Sequence, residues 1–115
     1  MVEERGLDVK TLIERALAIR ARYHELELSH HGATWTVQED ALAFLTDAGL
    51  VGRLTMDREG RWPKAESSGE LEHKLAECVW WLAVLANRME VDLEGALERF
   101  LATVGARLNG QSKGS

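Results

Sequence analysis

The chain has 115 residues, 45 % of them hydrophobic and 29 % charged, a balance that suits one soluble domain with a single core. A net charge of −5 argues against direct DNA or RNA binding, which needs a dense basic patch; a divalent cation held by carboxylates can still bring a nucleotide close. One proline, one cysteine and no period-two runs of β-branched residues argue against a sheet and an internal disulfide, and point to an all-α protein of the reducing cytoplasm.

The opening residues, Met1 to Gly6, lack the basic and apolar regions of a signal peptide, and no apolar run is long enough to span a membrane. The expected organisation is one domain over 1–115, with a core from about 8 to 108 and a frayed tail over 109–115. Four helices are predicted. The first runs from about Asp8 to Leu28, with Leu12, Ile13, Ala16, Leu17, Ile19, Tyr23 and Leu26 at helical spacing. Ser29 to Ala33 is expected to break it, with Gly32 taking a left-handed turn and His30-His31 in a solvated loop.

Thr36-Val37-Gln38-Glu39 reads as a capping box that opens the second helix, which continues through Ala41, Phe44, Leu45, Ala48 and Val51 to about Leu54. Gly49 and Gly52 lie inside it, each at a cost of roughly 1 kcal/mol relative to alanine, and are expected where another helix crosses closely. Asp57 to Ser68 reads as a loop whose Trp62 folds back on the core or on a partner subunit. Ser67-Ser68-Gly69-Glu70 repeats the capping box and opens a third helix that ends near Glu90. Asp92 caps the fourth, whose apolar stripe is Leu93, Ala96, Leu97, Phe100, Leu101, Val104 and Leu108. Helix three is apolar on more than one face and includes Cys78, read as a small buried hydrophobe. That excess predicts an oligomer, most simply a two-fold dimer.

The chemistry-bearing pattern is acidic. Residues seven apart on a helix lie within about 20° of each other, so Asp40 and Asp47 share one face of helix two. Glu70, His73 and Glu77 share a face of helix three. If the two faces oppose, four carboxylates and an imidazole converge, a donor set suited to Mg²⁺. The plainer reading gives Glu39 and Glu70 to capping boxes, Asp40 to the helix dipole and His73 to solvent. Asp47 and Glu77 resist it, because each is embedded among apolar residues. No nucleophile–base pair, glycine-rich phosphate loop or thiolate zinc site is present.

The stretch from Lys74 to Leu97, with Phe44-Leu45-Thr46-Asp47-Ala48-Gly49-Leu50 before it, resembles MazG-like proteins of the all-α nucleoside triphosphate pyrophosphatase superfamily over about residues 35–108. The resemblance implies a four-helix bundle completed by oligomerisation. It also implies Mg²⁺-dependent hydrolysis of a nucleoside triphosphate to the monophosphate and pyrophosphate. In that family an ExxE motif and an ExxD motif on successive helices hold the metal. Asp47 matches the first acid of ExxE and Glu77 the Asp of ExxD, but the other two positions are Leu50 and Lys74. Leucine offers no lone pair and an ammonium repels Mg²⁺. Asp40, Glu70, Glu72 or His73 are the substitutes for the missing ligands. A Lys-Asn pair of the family falls on Ala102 and Thr103. Lys74, Trp81 and Asn87 are the expected substrate contacts, Trp81 against the base and Lys74 on a phosphate. The expectation is a divergent pyrophosphohydrolase; the alternative is an inactive relative that binds a nucleotide or a protein partner.

Overall fold

The computed structural model describes residues 6–61 and 70–114, with side chains through 110. Trp62 and the Ser67–Gly69 part of the second capping box lie outside the described residues. Four helices follow in order: α1 (Val9–His31), α2 (Val37–Arg58), α3 (Glu70–Arg88) and α4 (Leu93–Gly114). Among the described residues there is no strand, and no helix is long and apolar enough to cross a membrane.

Helix ends follow local chemistry. Asp8 caps α1 by accepting from the Thr11 amide at 2.8 Å. Thr36 and Glu39 form the full capping box of α2, the Glu39 carboxylate accepting from the Thr36 amide at 2.8 Å and Thr36 Oγ1 from the Glu39 amide at 3.1 Å. Asp92 accepts from the Gly95 amide and opens α4. Gly32 ends α1 in the left-handed region, φ 77°.

Three boundaries differ from the sequence reading. Ser29, His30 and His31 stay helical, since Gly32 alone supplies the break and the His30 ring bonds back to the Leu26 carbonyl. α2 passes Leu54 to Arg58, where Gly60 at φ 77° and the Arg61 amide on the Met56 carbonyl close it in a Schellman turn. α4 continues beyond Leu108 to Gly114. α3 ends in a second Schellman turn, with Glu90 at φ 59° where glycine is usual.

α3 is the centre, packed against both α1 and α2, while α4 touches it only lightly. The buried apolar residues follow: Trp81, Ala83, Val84, Leu85 and Ala86 from α3, Ala16 from α1 and Leu54 from α2. The radius of gyration is 18.1 Å, against about 13 Å for a compact chain of this length. Among the described residues an added Cβ at Gly49 or Gly52 would meet nothing within 4 Å, so none of them makes the close helix crossing expected there. Both glycines instead lie on an outward row with exposed Leu42, Leu45 and Met56, at spacings of three and four residues.

Candidate functional site

The two acids that α2 places on one face are both buried, and they have different surroundings. Asp40 is wholly buried between two guanidiniums. Arg20 Nη2 donates to Oδ1 at 2.8 Å, and Arg88 Nη1 donates to Oδ2 at 2.8 Å. Arg20 also reaches Glu27 at 2.9 Å, and Arg88 reaches the Trp35 carbonyl at 2.9 Å. The remaining Glu27 oxygen accepts from the Trp35 amide at 2.9 Å. Burial pushes the Glu27 carboxyl up, but the Trp35 amide and the Arg20 guanidinium outweigh it and hold the group below its ordinary value. Beside this clamp His24 is pushed down, first by burial and then by the Arg20 and Arg88 charges. Asp40 is therefore an internal ion-pair node that joins α1, α2 and α3. It is no metal ligand, because a divalent cation would have to enter against two fixed positive charges.

Two turns along α2, Asp47 meets Glu77 of α3. The atom between them is Lys74 Nζ, 3.1 Å from Asp47 Oδ1 and 3.0 Å from Glu77 Oε1. The other Asp47 oxygen accepts from the Trp81 indole at 2.9 Å. Hydrogen bonds to Glu77 and then Asp47 raise the Lys74 ammonium above its ordinary value. The donor set implied by the resemblance does not fit here: an ammonium stands where a cation would be shared, and Asp47 has both oxygens occupied. Among the described residues no group of three or more His, Cys, Asp or Glu side chains is placed to hold a metal ion.

The other expected site residues disperse. Glu70 is exposed at the start of α3. His73 is largely exposed, with Nε2 3.6 Å from Glu77 Oε1. Trp81 is buried with 7 % exposure, so it is a core ring that anchors Asp47 rather than a surface on which a base stacks. Asn87 is exposed and lines a separate recess beside His24 and Arg88. Leu50 is exposed too. Cys78 is half-buried, its thiol pushed up by burial and by the nearby Asp47 and Glu77 charges.

The structure also brings to these acids Trp35 and Trp80, which sequence reasoning passed over, and Tyr23, which it read only as part of an apolar stripe. Tyr23, Trp35, Trp80 and Trp81 line a cleft of about 260 Å³ together with Arg20, Glu27 and Glu77. A neighbouring recess of about 290 Å³ shares Tyr23, Trp80 and Glu77 and adds Ile19, His73 and Ala76. The sequence did carry a signal for the clamp. Arg20 interrupts the stripe through Ile13, Ala16 and Tyr23 at three- and four-residue spacing, and a charge on an apolar stripe needs a buried partner.

Comparison with known proteins gave no match to a family profile, to a curated protein or to a solved structure.

Proposed function

We propose that this chain is a non-hydrolytic, MazG-like helical binding module, in which an internal ion pair stands in place of a metal-dependent hydrolytic centre. The observation that carries this reading is Lys74 Nζ within 3.1 Å of both Asp47 and Glu77. Its single positive charge, fixed to α3, offsets one of the two carboxylate charges that a free divalent cation would otherwise bridge. The MazG-like assignment itself rests on the motif pattern from Lys74 to Leu97 and on the matching four-helix, all-α architecture.

Self-association is part of the same proposal. On α3 the exposed Leu75, Val79 and Leu82, with Met89 just past its end, fall at heptad-like spacing, and Leu97, Leu101 and Leu108 do so on α4. Together with the open shape of the single chain, these rows support burial against a second copy.

One observation favours the hydrolase reading: the two acids do converge across the helix interface. The deciding experiment pairs a screen of nucleoside triphosphates, followed by pyrophosphate release with Mg²⁺ or Mn²⁺, with Mn²⁺ calorimetry on wild type and Lys74→Glu. The proposal expects no release by the wild type and divalent binding gained only by the variant. Wild-type turnover that Asp47→Asn abolishes would replace it with the pyrophosphohydrolase.

A further inference from the structure

The aromatic cleft beside the acid pair has a different electrostatic character from a phosphate site. Around it stand four carboxylates, Glu27, Asp40, Asp47 and Glu77, against three permanent cations, Arg20, Lys74 and Arg88. The excess is one negative charge, and its location can be traced by accounting for each oxygen. Both oxygens of Asp40, of Asp47 and of Glu27 accept hydrogen bonds from the protein. Glu77 Oε1 takes Lys74, while Glu77 Oε2 accepts none among the described residues. Glu77 lines both recesses and its side chain is 28 % exposed.

The walls are fixed by bonds made away from the ring faces. Trp80 Nε1 donates to the Ala16 carbonyl at 3.2 Å, and the Trp35 main chain is held at its amide by Glu27 and at its carbonyl by Arg88. Tyr23 meets Trp80 edge to face, with centroids 6.0 Å apart. Tyr23 and Trp35 remain 49 % and 41 % exposed, so both rings can be reached from solvent. Aromatic faces are negative, and an organic cation set among them is attracted by each ring as well as by a nearby carboxylate. Such a site repels phosphate for the same reason.

We propose that the cleft lined by Tyr23, Trp35, Trp80 and Glu77 binds an organic ammonium ion, an alkylated amine of a few carbons. The proposal rests on the reading that Lys74, and not a metal ion, holds the Asp47–Glu77 pair, because a divalent ion on Glu77 would cancel the excess negative charge that attracts an ammonium.

The test titrates the full chain with choline and with 3,3-dimethyl-1-butanol, its uncharged isostere, following indole fluorescence and the tryptophan indole signals by NMR. Choline is expected to saturate, with the neutral isostere at least about tenfold weaker. Glu77→Gln and Trp35→Leu are each expected to weaken choline severalfold, in samples whose helical circular dichroism matches wild type. Tyr23→Leu serves the same purpose should either variant lose helicity. Equal binding of the isostere, no saturation by choline, or indole shifts produced by adenosine triphosphate but not by choline would overturn the proposal.

Discussion

Asp40 and Asp47 occupy the same face of the same helix, and the cation each one meets gives it a different role. Asp40 is closed between two arginines, whose planar, forked donors fill both carboxylate oxygens with no exposure left. Asp47 meets one lysine, a compact charge on a flexible stem that also holds Glu77 and stays 26 % exposed. The first arrangement locks three helices together. The second leaves a carboxylate oxygen open beside an aromatic cleft. A rigid, fully matched ion network suits a scaffold, whereas a shared and partly open one suits a site.

The largest effect that tests this contrast is expected from Asp40→Ala. Removing the node leaves buried Arg20 and partly exposed Arg88 without the carboxylate between them, at a cost of about 3 kcal/mol, a large share of the total stability of a small domain. Urea denaturation measures it. A loss below about 1 kcal/mol would mean that the clamp is no scaffold and would erase the distinction.

Lys74→Met should cost less, about 1 kcal/mol at neutral pH, because water screens the partly open cluster. Its pH dependence sharpens the comparison. Lys74 is raised above its ordinary value of 10.5, so its contribution is fully present below that pH and is lost as pH rises through the higher folded value. Wild type and variant should therefore differ in urea midpoint at pH 7 and converge in strongly alkaline buffer. A constant gap would show that the ammonium is not what holds Asp47 and Glu77 together.

The smallest effect is expected from Arg58→Ala, which removes the exposed pair of Arg58 with Glu72 at 3.3 Å. Its loss should leave the urea midpoint indistinguishable from wild type, setting the floor against which the other two are judged.

Legibility in the sequence follows the range of the interaction. The caps at Thr36 and Asp92 and the turn at Gly32 depend on neighbours within four residues, so residue type and spacing revealed them. The juxtaposition of Asp47 and Glu77 was also readable, because an acid embedded in an apolar helical run must find company across the interface. The clamp was not. Asp40 lies 20 residues from Arg20 and 48 from Arg88, and its first-turn position already had a sufficient local explanation in the helix dipole. The burial of Trp81 was not legible either, because it depends on how α2 and α3 face each other. The light docking of α4 was hidden for a related reason: its apolar stripe marks an amphipathic helix, and not what packs against it.

The bonds on either side of Trp35 give the segment joining α1 to α2 an unusual standing. Its amide ends on a carboxylate of α1 and its carbonyl on a guanidinium of α3, so a stretch with no regular structure is fastened to two helices at one residue. In hydrogen exchange the Trp35 amide should be as slow as the helical ones around it, opening only when the Arg20–Asp40–Arg88 network opens. The connection then belongs to the same cooperative unit as the helices it joins, and one wall of the cleft can shift only if that unit loosens.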